Sequence, residues 1–226
     1  FLKYARLITK TKLNPEQTKE ALFYVTKRAA HLQKELGQSH NKKRPKVMRT
    51  KGRTAAELYF ISQQVNPALG ERALFYAGES YYAAQSFSQA LYMYQKVLDT
   101  KKSDSVYYKR SLAGMIVVLN NDKISKKVRN KYFESVMNAY ITSEESKSKK
   151  NKAIEKLFSF YVVEKKDFGN AEKVFFAYAK QNPRNMSKNE AMIGRIVDVH
   201  KVQRNKKALL SFVQKPQNLQ LLRLLK

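Results

Sequence analysis

The segment RALFYAGESYYAAQSFSQALYMYQKVLD, residues 72–99, restricts the fold more than any other part of the 226-residue chain. It carries seven aromatic residues, yet Ala77, Gly78, Ala83, Ala84 and Ala90 recur among them with almost no side chain. Leu74, Ala77, Gly78 and Tyr81 fall at i, i+3, i+4 and i+7, which is one face of a helix. After a break at Gln85-Ser86, the residues Phe87, Ala90, Leu91, Tyr94 and Leu98 form a second apolar face with helical spacing. Helices joined by so short a turn must touch. Small residues at their crossing let the backbones approach, and rings fill the remaining volume. A glycine inside a helix costs about 1 kcal/mol relative to alanine, so Gly78 implies a packing need.

With these positions in view, the segment resembles a tetratricopeptide repeat. Leu74, Ala77-Gly78 and Tyr81 match the first helix of that motif of roughly 34 residues, and Phe87, Ala90, Tyr94 and Val97 match the second. In LFSFYVVEKKDFGNAEKVFFAYAKQNP, Phe168, Ala171, Phe175 and Tyr178 repeat the second-helix spacing, with Pro183 where the motif ends. Glu155 and Ser159 depart from the pattern of the first helix. TAAELYFISQQVNP reads as a half-copy, with Ala56 standing 34 residues before Ala90. The resemblance implies an all-α fold over residues 1–226: an α-solenoid of antiparallel helix pairs wound as a right-handed superhelix.

The rest of the chain is read as helices without the motif. Asn14-Pro15 and Asn66-Pro67 read as a helix cap followed by its first residue, the former opening a long helix that runs to about Gly37. Residues 105–121 and 125–143 read as one pair with a turn at Asp122 to Ser125. Residues 188–203 and 205–215 read as another, in which Ala208 and Phe212 echo the motif, and residues 216–226 as a last helix. FLKYARLITKTKLNP reads as the tail of an earlier unit, so the array is expected to continue beyond this sequence. About eleven helices result. Between Gly37 and Thr54 the reading is interrupted by a basic loop insertion, residues 38–53.

Composition narrows the function classes. The formal charge is +27, from 45 basic and 18 acidic residues, and 33 of the basic residues are Lys against 12 Arg. Such a balance favours anionic partners: an acidic protein, an anionic envelope polymer or nucleic acid. Lys supplies a hydrated point charge and lacks the planar fork that Arg uses to read phosphates and bases. The absence of cysteine excludes disulfides, thiolate metal sites and a cysteine nucleophile,. No apolar run approaches the roughly 20 residues of a membrane helix.

Little in the sequence could do chemistry. The seven glycines are dispersed, so no phosphate-cradling loop forms,. His31, His40 and His200 have no neighbour at metal-ligand spacing, and Asp198 and His200, two apart on a helix, point in different directions. Glu144 and Glu145 adjoin a Lys-rich turn as solvated charges, and residues 144–156 read as that turn and a helix start. A non-catalytic chain without a cofactor is expected.

Two sets of residues are candidates for binding. Arg72, Phe75, Glu79 and Tyr82 form a stripe at i, i+3, i+7 and i+10 with Tyr76 beside it. The resemblance implies that these positions line a concave groove for a peptide or a partner's helix; the alternative is that they pack on neighbouring units. Lys42, Lys43, Arg44, Lys46, Arg49, Lys51 and Arg53 make the 38–53 insertion a candidate site for an anionic partner, the alternative being a plain surface loop. The expectation is a protein-interaction scaffold, with a nucleic-acid-binding helical repeat as the alternative. AGESYYAAQSFSQALYMYQKVLD also resembles repeats of bacterial cell-envelope tetratricopeptide proteins, which implies a periplasmic or envelope location ahead of a cytoplasmic one.

Overall fold

A computed structural model describes residues 1–37, 45–182, 184–202, 211 and 214. Among these residues there is no strand, and ten α-helices carry the fold. The readings placed on Lys42, Lys43, Arg44, His40, Pro183, Ala208, Phe212 and the helix at 216–226 lie outside the described residues. The chain divides into two compact units, Phe1–Tyr132 and Phe133–Lys226, where the sequence was read as one array.

The first unit opens with α1 (Leu2–Ile8) and α2 (Pro15–Leu36). The start of α2 is set by Asn14, whose side chain accepts from the Gln17 amide at 2.8 Å while the Gln17 side chain accepts from the Asn14 amide at 3.1 Å. That reciprocal cap satisfies two donors that a helix end leaves orphaned. Next comes α3 (Pro45–Val65). The expectation of a loop through residue 53 is corrected here: residues 45–53 are helical. Proline at a first helical position has no amide to lose. Gly52, which looked like a loop residue, is buried against α4 (Gly70–Ala83). A Cβ at Gly52 would lie 2.7 Å from both the Ala84 Cβ and the Ser80 carbonyl oxygen, so the two backbones meet at that point.

A short 3-10 turn, Pro67–Leu69, capped by the Asn66 side chain, leads into α4, and α5 (Phe87–Leu98) and α6 (Val106–Leu119) follow. Each helix from α2 to α6 packs on the next in sequence, and α4 also meets α6. The helical spacing read in residues 72–99 holds: Leu74, Ala77, Gly78, Ala90, Leu91, Tyr94 and Val97 are all buried. A further helix, α7 (Lys126–Ser143), begins in the first unit and ends in the second. Its Arg129 donates from Nε to the Leu119 carbonyl at 3.0 Å, satisfying the end of α6,.

The second unit contains α8 (Lys147–Ser159), a π-helical segment Phe160–Lys165, α9 (Phe168–Gln181) and α10 (Met186–Val202). Ala171, Phe175 and Tyr178 fill the core face of α9, as their spacing requires. The preceding helix, where the repeat pattern departs at Glu155 and Ser159, widens into the π segment. That segment brings Phe160 onto Phe133 with ring centroids 4.6 Å apart.

Candidate functional site

The site is defined by how differently the two sides of α4 are treated. Toward α5 and α6 it is filled. Tyr94, 1% exposed, places its ring between Gly78 of α4 and Gly114 of α6. A Cβ on Gly78 would come within 2.5 Å of that ring, and one on Gly114 within 2.9 Å. Gly78 therefore makes room for a neighbouring ring, where the expectation was close backbone approach with rings filling the volume around it. The Tyr94 hydroxyl donates to the Glu79 carboxylate. Burial first, and the Glu79 charge second, push this phenol far above its ordinary range,.

Phe75 completes that face at 2% exposed, its centroid 5.8 Å from Tyr107 and 6.2 Å from Tyr94. The Arg110 guanidinium lies 4.5 Å from its centroid, a cation–π contact from α6,.

Toward α2 the same helix faces a cleft of about 360 Å³. Phe23, Thr26, Lys27 and Ala30 of α2 form one wall, Leu69, Arg72, Ala73 and Tyr76 the other, and Tyr59 of α3 the floor. Tyr59 and Tyr76 stack at 5.6 Å. The Tyr59 hydroxyl donates to Gln33 Oε1 at 2.9 Å, and its burial raises the phenol pKa to about 12, with Tyr76 adding to the rise and the Arg72 charge opposing it. Phe23 remains 57% exposed although it is a large apolar side chain, with the Lys27 ammonium 5.4 Å from its centroid.

The cleft continues along α2. A second cavity of about 630 Å³ shares Phe23, Thr26 and Leu69 with the first and reaches Leu13, Lys19 and Val65. A third, of about 550 Å³, shares Leu13, Thr18 and Val65 with the second and reaches Ile8 and Lys12. The three make one trench. Its charged lining residues are Lys12, Lys19, Lys27 and Arg72, with no Asp or Glu among the residues that line it.

The stripe read from the sequence is not a single surface. Arg72 and Tyr76 line the cleft. Phe75 is core, so its assignment to a groove is corrected: α6 packs directly against it. Glu79 is held by Tyr94, and Tyr82, exposed, packs on Phe87 at 5.9 Å. The structure adds Phe23, Thr26, Lys27, Ala30 and Tyr59, which sequence reading passed over. The signal for them lies in the run Leu22-Phe23-Tyr24-Val25, four consecutive apolar side chains that one helix face cannot bury together.

The basic residues attributed to the loop are also divided. Lys46, Arg49, Lys51 and Arg53 stand on α3, where Lys51 pairs with Glu35 at 3.4 Å and Arg53 Nε donates to Ser86 Oγ at 3.0 Å. Lys46 and Arg49 are exposed.

Elsewhere, Glu144 closes the turn before α8: it accepts from the Tyr140 hydroxyl at 2.6 Å and from the Ser146 amide at 2.9 Å. These bonds hold its carboxyl below the usual range. Among the described residues, no group of three or more His, Asp or Glu side chains is arranged to hold a metal ion. No described helix is long and apolar enough to cross a membrane. No family model matches the chain, and no curated protein matches it.

Proposed function

We propose that this chain is a non-catalytic scaffold of tetratricopeptide-like helix pairs that holds a segment of another protein in the trench along α2, which runs from the cleft facing α4 to the end of α1. The observation that carries the reading is the inequality of the two sides of α4. One is sealed by Tyr94, Phe75 and Tyr107, while the other leaves Phe23, Tyr76 and Arg72 around an open cleft. A cleft of this size falls within the roughly 300–1,000 Å³ typical of ligand-holding pockets. An exposed ring such as Phe23 is the kind of side chain that anchors an interface once water is excluded from it.

The test is a selection of random displayed peptides on the purified chain, followed by Ala30→Trp. Ala30 is exposed on the cleft wall, so the indole fills the cleft without disturbing the core. The expected result is a set of enriched peptides whose binding falls at least about tenfold on the blocked chain, with the melting temperature unchanged. Failure of any peptide to enrich, or equal binding to the blocked chain, would remove the cleft as the docking site.

A further inference from the structure

We infer that the segment held in this trench is acidic and carries one large apolar side chain that enters the cleft beside Ala30 and Ala73. The inference rests on the scaffold reading and goes beyond it by naming the chemistry of the occupant. Charge complementarity is its first support. Lys12, Lys19, Lys27 and Arg72 follow the trench from end to end, and none of them forms an ion pair among the described residues. A few surface cations elsewhere do meet a carboxylate: Arg6 pairs with Glu57, Lys51 with Glu35 and Lys188 with Glu155. Glu16 and Glu20 of α2 do not line the trench. Four cations and no carboxylate along one trench give it a positive potential, which an anionic occupant complements,.

Spacing supplies the second support. Lys19 and Lys27 are eight positions apart on α2, about 12 Å at 1.5 Å per residue. An extended chain covers that distance in three to four residues at about 3.3 Å each. Between them the wall is Phe23, and the cleft near Lys27 is walled by Ala30, Ala73 and Leu69. This order suits a segment with an apolar side chain flanked by carboxylates at Lys27 and Arg72, and a further carboxylate three or four residues on at Lys19.

Nucleic acid fits the same charges less well. Sequence-tolerant strand binding uses open ring faces on which bases stack. Here Tyr59 and Tyr76 stack on each other, and Phe23 has Lys27 at 5.4 Å and Tyr24 edge-on at 5.5 Å. The cations are also strung singly along the trench, whereas a strand presents a phosphate at every nucleotide.

The experiment is fluorescence anisotropy with the whole chain and a labelled nonapeptide of glutamates bearing phenylalanine at its third position. Three comparison probes accompany it: the same peptide with Phe replaced by Ala, the same peptide with every Glu replaced by Gln, and a ten-nucleotide oligouridylate. The inference requires saturable binding of the first peptide that weakens with salt. Both peptide replacements should weaken it at least about tenfold, and so should Ala30→Trp and the double variant Lys27→Gln/Arg72→Gln, each with unchanged circular dichroism. An equally tight glutamine peptide would overturn the acidic assignment. An equally tight alanine peptide would overturn the apolar anchor. Oligouridylate that binds more tightly and is lost on Ala30→Trp would transfer the trench to nucleic acid. If displayed peptides enrich on the cleft but prove neutral or basic, the scaffold reading stands and this inference fails; if none enrich, both fail.

Discussion

The α4–α6 step and the α2–α4 step are built from the same kinds of residue and end in opposite states. Both bring Tyr and Phe to a helix–helix junction, and both have a basic residue over a ring: Arg110 over Phe75 in one, Lys27 over Phe23 in the other. The difference lies in the glycines. Gly78 and Gly114 open a slot on two sides of Tyr94, so α4, α5 and α6 close around one ring and Phe75 is drawn inside. No glycine stands on α2 where it faces α4, and the rings there cannot interdigitate to the same depth; they line a cleft instead. A ring that meets glycines on both sides is enclosed, while rings that face only Ala30 and Ala73 line an open cleft,.

The largest expected effect tests the closed step. Phe75→Ala removes a ring that is 2% exposed and packs from α4 on both α5 and α6, and should cost about 3–5 kcal/mol in chemical denaturation,. Phe23→Ala removes the same ring from a 57% exposed position and should stay within about 0.5 kcal/mol of the parent chain,. Equal losses from the two substitutions would erase the contrast on which the site rests.

Next in size are the glycines. Gly78→Ala puts a methyl group 2.5 Å from the Tyr94 ring, which is 1% exposed and has α6 close on it at Gly114. A loss of about 1–3 kcal/mol follows from overpacking. Shrinking the ring should relieve it, so Gly78→Ala should cost far less in a Tyr94→Leu background than alone, a coupling measurable by a double-mutant cycle. Gly52→Ala should fall in the same range, because its new methyl would meet the Ser80 carbonyl oxygen and the Ala84 Cβ at 2.7 Å. A neutral Gly52→Ala would mean that α3 and α4 do not approach as described.

These substitutions also mark what could be read from the chain before its structure. The core faces of α4 and α5 were legible because a 3.6-residue period survives any detail of packing. The start of α2 was legible because Asn14-Pro15 is a local cap signal, to which the structure adds Gln17. The target of Gly78 was not, since spacing says that a small residue is needed without saying whether a backbone or a ring fills the gap. The start of α3 was hidden for a related reason. Pro45 and Gly52 in an acid-free basic run resemble a loop until the helix they pack against is known. The cleft was hidden because its wall comes from α2 and its floor from α3, outside the repeat-like pair, so Phe23 and Tyr59 shared no periodicity with Arg72 and Tyr76.

The smallest expected effect comes from the floor of the open step. Tyr59 keeps its proton to about pH 12 because burial disfavours the phenolate, whereas the unfolded chain releases it near 10. A folded pKa raised above the unfolded one gives stability that is complete below pH 10 and lost as pH climbs from 10 toward 12. The informative quantity is a difference between the parent chain and a variant that lacks only this phenol. The gap in melting temperature between the parent chain and Tyr59→Phe should be constant below pH 10 and shift in favour of the variant above it. Arg72, whose charge draws the Tyr59 pKa downward across the cleft, gives the discriminating control. Arg72→Gln should move the Tyr59 titration to higher pH when followed by tyrosinate absorbance against the Tyr59→Phe background. An unmoved titration would place the guanidinium away from the cleft floor, and the open step would lose the cation that faces Lys27 across it.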